Sequence, residues 1–558
     1  MNKVAKNGRF PLPGWVVFWS LVALILVTFP YVLAYTTARP GTLFTGTLMN
    51  PEDSHTYFAK MVAGYNGHLL YAIPFTPEPH EPAFLGVFYV WLGLLARLFG
   101  VSIDLVWHLA RIVADLFLFG VIYRFITYFL TNWQERKLAF LLSLFGGGFG
   151  WVLFLLNQPY WLDHFPVDFK QPGSHIFFTA LTFPHVAFGT ACLLLSVMDI
   201  HRLQEAVLAR RSWWRIAGQA GLTLLLLGIA YPFLVYLVAV VVGLYWGYQV
   251  WQAKRPLWRV AFIWAIPFLL ASPLYLYYAW VLQTNEIFRA WDAQALTPSP
   301  PWPHYLVAYA PFLVLAGWHW WKRPSDRTRF VILWCWILAA AILVYAPLNP
   351  QRRFVQGVHV PLSILTTMAF CHLFLPALAR TRLWQTLLQR PRYTSNGLTG
   401  YVATLFLVFM SLSNFYIFAS VSVSSVVQQP DLIFRPVAEK EAALWVWENL
   451  PETAVILSEY QSGNYIAGRT GRRVVIGHWA ETVDFEQRQI ETARFFDANT
   501  SDEWRKQLLT RYHVNYLWYG PREQALGDFN PETADYLTPR YTNHTITIYA
   551  VTPALATP

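Results

Sequence analysis

For three quarters of its length the chain alternates long apolar runs with short connections, and then its pattern changes. A helix that crosses a bilayer needs about 20 predominantly apolar residues. Eleven stretches qualify: 15–35, 104–130, 138–157, 183–200, 216–230, 232–251, 259–282, 304–321, 328–347, 355–378 and 399–424. The break between the fifth and sixth falls at Tyr231-Pro232, where proline removes a backbone donor and favours a turn. Beyond residue 430 the pattern is that of soluble protein. It predicts helices over 437–449, 485–496 and 502–512 and strands over Ala454–Glu459, 472–477 and Val514–Gly520. Alternating elements of this kind predict a small α/β domain.

Charge separates the same two regions. Residues 430–558 hold 12 basic and 17 acidic side chains, whereas residues 1–429 hold 29 and 14 and carry a net charge of +15. In a soluble protein such an excess would point to nucleic acid. Here the basic groups sit in short loops between apolar runs, the positive-inside signature of a membrane protein, so nucleic acid is set aside. With only 13% charged residues, 56% hydrophobic residues and 27 tryptophans, a wholly soluble chain is excluded. Cys192, Cys335 and Cys371 all lie in apolar runs, which leaves neither a disulfide framework nor a clustered zinc site.

Loop charge also fixes the expected topology. The run 15–35 follows Lys3, Lys6 and Arg9 and is longer than the apolar core of a signal peptide, about 7–15 residues. It is read as a retained first helix with a cytoplasmic amino terminus. Segment 82–100 is nearly long enough to cross. If it lies at the interface instead, 21 basic residues fall inside and seven outside, as the orientation rule requires. Eleven crossings from an inside start place the carboxy terminus outside. The expected architecture is therefore an α-helical polytopic membrane protein of the plasma membrane. Residues 1–429 form its transmembrane domain, with a first outer loop at 36–103, and residues 430–558 its soluble extracytoplasmic α/β domain.

Candidate chemistry gathers on the outer side. Asn50-Pro51-Glu52-Asp53-Ser54-His55-Thr56-Tyr57 opens a helix just beyond the first span, and a carboxylate there suits a general base or the cap of that helix. The loop 158–182 carries Asp163, His164, Asp168 and His175, with His185 at the mouth of the next helix. Such groups suit a divalent metal, proton transfer or ordinary loop polarity. Arg352 and Arg353 break the charge rule between two spans. Their forked donors match phosphate oxygens, whether of a substrate or of bulk phospholipid. Asp104, His108, Arg111 and Asp115 share one helix face, where Arg111 and Asp115 suit a structural pair and Arg111 a supporting role. Gly477-His478-Trp479 with Glu481 follows a strand end, a common site position in parallel sheets, but reads first as a packed loop.

Four features resemble the GT-C glycosyltransferases, multi-pass enzymes that use polyprenyl-phosphate sugars. They are the acidic pair Glu52-Asp53, the loop with Gly64, Tyr65, Gly67 and Tyr71, the segment from Glu81-Pro82 to Leu98-Phe99-Gly100, and the helix bearing Arg111. The resemblance covers residues 10–200 in detail and the remaining helices in layout. It implies a GT-C-like fold and an inverting transfer of a sugar from a lipid-linked donor to a glycan, lipid or protein acceptor outside the cytoplasm. Asp53 matches the family's first-loop catalytic acid, with Glu52 beside it. On this reading Arg352 and Arg353 neutralise the departing polyprenyl phosphate, Asp168 and His185 steer the sugar, and Tyr57 and Arg111 complete the substrate-binding set. Divalent-metal dependence varies within the family and stays open here. The acceptor-peptide signature of oligosaccharyltransferases is missing. The competing readings are a multi-pass transporter or lipid flippase, from the 104–115 stripe and the broken pair 216–251, and an assembly protein acting through residues 430–558.

Overall fold

The structure, a computed structural model, describes residues 12–552. Lys3, Lys6 and Arg9, on which the placement of the amino terminus rests, lie outside the described residues. The chain opens with helices α1 (Gly14–Thr37), α2 (Pro51–Asn66), α3 (Val87–Phe99) and α4 (Ile103–Phe129). Among the described residues six helices are long and apolar enough to cross a membrane, or seven if the bent pair Ser395–Met410 and Leu412–Gln428 counts as one span. These helices make the protein an integral membrane protein.

The chain forms two compact units. The first comprises Met1–Pro30, Arg111–Pro273 and Thr297–Val421, the second Tyr31–Ala110, Leu274–Leu296 and Ser422–Pro558.

Helices make up the first unit. The apolar run 138–157 is not one helix there. Trp133–Phe145 stops at Gly146-Gly147-Gly148, and a short helix resumes at Gly150–Leu155. The backbone of this break is clasped from two sides, by Gly147 N–H donating to Met410 O at 2.6 Å and Phe149 N–H to Val307 O at 2.9 Å. A Cβ on Gly148 would lie 2.4 Å from Ala308 O, and one on Gly150 2.2 Å from an Asp168 oxygen, so only glycine permits the approach. The break expected at Tyr231-Pro232 is present: Trp214–Ala230 ends and Leu234–Ala253 begins.

The second unit holds the strands. β1 (Thr42–Phe44) and β2 (Phe434–Pro436) form an antiparallel pair. β3 (Val455–Leu457), β4 (Arg473–Val474), β5 (Tyr516–Tyr519), β6 (Leu537–Thr542) and β7 (Thr547–Val551) form a five-stranded sheet in the order β4-β3-β5-β7-β6. β3 runs parallel to β4 and β5, and β7 antiparallel to β5 and β6. Alternate side chains point to opposite faces. Ile456, Trp518 and Ile548 pack toward α2, α3 and the helix Val437–Asn449. Val455, Leu457 and Leu517 pack toward Phe495, Phe496, Leu508 and Leu509 of the helices Phe485–Phe496 and Asp502–Arg511.

Two glycine contacts set the frame around α2. A Cβ on Gly64 would sit 2.0 Å from Val90 O, and one on Gly93 1.9 Å from Met61 O, so α2 and α3 cross backbone to backbone. On another side of α2 lies the helix Tyr460–Thr470, where a Cβ on Gly468 would meet His55 Cβ at 2.6 Å. α3 itself is 13 residues long, too short for the about 20 that a crossing needs.

Candidate active site

The candidate acid stands at the first turn of α2. Asn50 precedes the helix with φ 47°, Pro51 occupies its first position, and Glu52 and Asp53 follow. Proline suits that position because its missing N–H would be unpaired anyway. Carboxylates are favoured there by the unpaired N–H groups and the helix dipole.

Asp53 is met by a loop from the far end of the sequence. His478, which is buried, places Nε2 3.0 Å from Asp53 Oδ1. The backbone N–H of Ala480 donates to His478 Nδ1 at 3.3 Å. That contact makes Nδ1 the acceptor of a neutral ring, so the ring proton resides on Nε2 and is donated to Asp53.

The same loop grips α2 two turns further on. Lys60 Nζ lies 3.0 Å from Glu481 Oε1, both side chains are buried, and Tyr71 Oη donates to Glu481 Oε2 at 3.0 Å. Asp53, Tyr57 and Lys60 follow helical spacings of four and three residues and share one face. Tyr57 stacks on Tyr89, with ring centroids 4.6 Å apart. Lys60 Nζ sits 4.5 Å from the centre of the Tyr71 ring, a cation–π contact in a desolvated place. Burial and then the Glu481 charge push the Tyr71 phenol well above its usual range.

The loop is fixed by its own hydrogen bonds. Gly477 N–H donates to Thr482 Oγ1 at 2.9 Å, and that hydroxyl donates to Phe75 O at 2.8 Å. Gln294 Nε2 donates to Thr482 O at 2.9 Å. Beside it, Glu459 caps the helix Tyr460–Thr470 by accepting from Gln461 N and Ser462 N. The hydroxyl of Tyr460 bonds to the Glu52 carboxylate, and burial followed by that carboxylate raises the phenol's pKa. His55 is fully enclosed, and burial holds its imidazole well below the ordinary value, hence neutral.

The remaining expected site residues lie in the first unit. Arg352 and Arg353 belong to the turn Gln351–Val355, anchored by Arg352 N–H donating to Thr297 O at 3.1 Å and by Ser299 N–H donating to Gln351 Oε1 at 3.1 Å. Arg352 shares a cavity of about 20 Å³ with His164 and Lys170. Burial, then the Arg352 charge, lowers the Lys170 ammonium. The Arg353 guanidinium lies 5.7 Å from the Phe233 ring centre.

His185 stacks on Phe183 and meets Tyr231 edge-on. Asp168 is buried and accepts from Gly150 N–H at 2.9 Å and Ser413 Oγ at 2.7 Å, which binds it to the glycine break. Burial raises its pKa. His175 is likewise buried, which pulls its imidazole down to about 3.

The polar stripe of α4 divides by partner. Asp104 takes Arg469 at 2.7 Å and His108 bonds to Tyr35 Oη at 3.0 Å. Arg111 donates to Thr28 Oγ1 at 3.2 Å and lies 3.8 Å from Asp115.

The structure thus brings Glu52, Asp53 and Tyr57 onto one helix and adds His478, Glu481, Lys60, Tyr71 and Tyr460 around them. Of these additions, His478 and Glu481 had a sequence signal in their place after a strand end, and Tyr71 in the loop that carries the family resemblance; Lys60 and Tyr460 had none. Among the described residues no three His, Cys, Asp or Glu side chains come together as a metal site. Asp53 and His478 face each other as a hydrogen-bonded pair.

No family model matches the sequence, and no curated protein matches it. Similar folds occur among solved structures. One is the oligosaccharyltransferase of Archaeoglobus fulgidus tethered with an acceptor peptide containing the NVT sequon, with a TM-score of 0.52 and 12% identity over 91% of this chain and 69% of that one. Another is ArnT from Cupriavidus metallidurans bound to undecaprenyl phosphate, with a TM-score of 0.52 and 13% identity over 98% and 100%. ArnT in its apo state gives 0.53 and 12% over 98% and 99%.

Proposed function

From the GT-C fold that this chain shares with an oligosaccharyltransferase and ArnT, we propose that it is a membrane glycosyltransferase. It moves a sugar from a polyprenyl-phosphate-linked donor to an extracytoplasmic acceptor, with inversion. The observation that carries the reading is the donated Nε2–H of His478 at 3.0 Å from Asp53. It turns a helix-end carboxylate into one with a fixed orientation.

In the proposed reaction an acceptor hydroxyl loses its proton to Asp53 as its oxygen bonds to the anomeric carbon. The bond from that carbon to the phosphate oxygen breaks on the opposite face, and polyprenyl phosphate leaves. Asp53 is the general base, Glu52 adds negative charge beside it, and His478 keeps the carboxylate aimed. Arg352 and Arg353 are assigned to the phosphate, where forked donors match its oxygens and offset the charge that develops on leaving. Tyr57 presents an aromatic face for the sugar, and His185 a ring for steering it. Asp168 and Arg111 act by position, through the glycine break and the contacts to α1. The proposed topology is eleven crossings from a cytoplasmic amino terminus in the plasma membrane. Residues 430–558 then form an extracytoplasmic domain that delivers His478.

The experiment is incubation of the purified chain with polyprenyl-phosphate sugars and a panel of acceptors, reading release of free polyprenyl phosphate. Release by the native protein and none by a folded Asp53→Asn variant is the expected result. Equal release by both, or none across the panel with and without divalent cations, overturns the proposal.

A further inference from the structure

The second unit contains a cavity of about 670 Å³ lined by Tyr35, Phe44, Tyr65, Asp104, Lys440 and Trp447 among others. None of these side chains has a step in the proposed transfer. Tyr35 lies in the last turn of α1 and Asp104 in the first turn of α4, and both helices are long and apolar enough to cross a membrane. In the proposed topology the cavity sits where acyl chains give way to headgroups, the depth that tyrosine and tryptophan favour. Val32, Leu105 and Leu109, on the same helix ends, expose apolar side chains.

The charges are arranged in an uncommon way. The Asp104 carboxylate accepts from Arg469 at 2.7 Å, yet its side chain remains 42% exposed. Arg469 has its guanidinium 3.8 Å from the Phe58 ring centre and donates to Thr45 O, so it is committed within the protein. Lys440, on the helix Val437–Asn449, is exposed and makes no ion pair among the described residues. The cavity thus offers a carboxylate edge, a separate ammonium and several aromatic faces.

Each simpler ligand leaves part of this unused. A lone phosphate would satisfy Lys440 but not the carboxylate or the rings. A neutral saccharide would use the rings and Asp104 and offer Lys440 hydroxyls but no opposite charge. A zwitterionic headgroup uses all three. We infer that this cavity binds an aminophospholipid, its phosphodiester on Lys440, its ammonium on Asp104 and the aromatic faces, and its acyl chains along Val32, Leu105 and Leu109. The ammonium is held by the carboxylate and by ring quadrupoles, the phosphate by a point charge at the membrane surface.

The test is native mass spectrometry of the full-length, detergent-purified protein titrated with three probes: phosphatidylethanolamine, phosphatidylglycerol of the same chains, and undecaprenyl phosphate. Phosphatidylethanolamine binds tightest of the three. Lys440→Glu weakens it about tenfold, the size of one lost charged contact, and Lys440→Arg restores it. Asp104→Asn removes the preference for the amine over the glycerol headgroup. Because Asp104 also holds Arg469, the exposed Lys440 variants carry the result if that one fails to fold. Equal binding of the two glycerophospholipids, indifference to Lys440→Glu, tighter binding of undecaprenyl phosphate through Lys440, or displacement of the lipid by free saccharides each overturns the inference.

Discussion

His478 Nε2 stands 3.0 Å from Asp53 Oδ1 although 425 residues separate the two in the chain. The contact exists because Gly463 and Gly468 let the helix Tyr460–Thr470 lie close to its neighbours. A Cβ on Gly463 would sit 1.9 Å from Ile476 O, and the loop that follows Ile476 carries His478. The geometry proposed for catalysis is thus made of backbone clearances rather than of any local motif.

Asp53→Asn keeps the size and the helix-end position of the side chain but removes the proposed base. Transfer is expected to fall by about a hundredfold to ten-thousandfold, with the thermal midpoint in detergent little changed. Steady-state release of polyprenyl phosphate, set beside the unfolding curve of each protein, checks it. Glu52→Gln is expected to cost less, because Glu52 pairs with Tyr460 and not with His478.

His478→Ala frees the carboxylate to turn. The expectation is a fall in kcat of about tenfold to a hundredfold, the cost of misplacing a reacting group by about 1 Å, with KM for the donor nearly constant. His478→Gln keeps an N–H donor and recovers part of the rate. A loss confined to KM, or no recovery with glutamine, would assign the ring a packing role instead.

Arg352→Ala and Arg353→Ala are expected to raise KM for the lipid-linked donor and to weaken binding of free polyprenyl phosphate about tenfold or more each, one charged contact apiece. Lysine at either position restores charge but not the fork, so recovery is partial. Binding isotherms with polyprenyl phosphate against the uncharged polyprenol separate phosphate recognition from chain recognition.

Lys60→Met leaves Glu481 buried without its cation, and the loop that presents His478 loses its second anchor. Stability is expected to drop by about 3–5 kcal/mol, the usual result of breaking a buried pair from one side. Lys60→Met combined with Glu481→Gln recovers much of it. Denaturation midpoints of the single and double variants measure the coupling.

Glu523 is expected to make the protein's stability depend on pH. Its carboxyl accepts from Glu459 N–H at 2.8 Å and Gly520 N–H at 3.0 Å, but burial dominates and raises its pKa to about 7. The folded state therefore binds more protons than the unfolded one between about 4.5 and 7. The contribution is complete below the unfolded value, declines as pH rises, and is lost through pH 7, to the extent of about 3 kcal/mol. Melting curves from pH 5 to 8 should fall toward the alkaline end, and Glu523→Gln should flatten that slope. A slope that survives the substitution assigns the effect to another group.

Much of the fold is legible in the chain because it rests on local properties. The helices Val437–Asn449 and Phe485–Phe496 fall where the pattern predicts them, and the break at Tyr231-Pro232 falls where the basic flanks Arg215 and Lys254 require one and the proline places it. The helix Tyr460–Thr470 was not legible, since its two glycines lower helix propensity and their purpose is close approach to Ile476 and His55. Likewise Gly146-Gly147-Gly148 interrupts a run of adequate length and apolarity. Its unpaired backbone groups are satisfied by Met410 and Val307, partners far away in sequence. β6 escaped because its exposed positions carry Thr538, Pro539, Arg540 and Thr542 in place of an apolar run; β7, Thr547–Val551, is short and mostly buried, and its pairing with β5 and β6 is set by neighbours in space.

The sequence by itself determined what depends on the length and composition of a run of residues: apolar helices long enough for a bilayer, a carboxy-terminal region with strands, and an acidic pair at a helix start. Tertiary structure alone decided which loop faces Asp53, that His478 presents a proton to it, that Lys60 meets Glu481, and that Asp168 is buried beneath a glycine break. The reason is physical. Burial, hydrogen-bond direction and ion pairing are set by neighbours in space, and here those neighbours lie up to 425 positions apart in the chain.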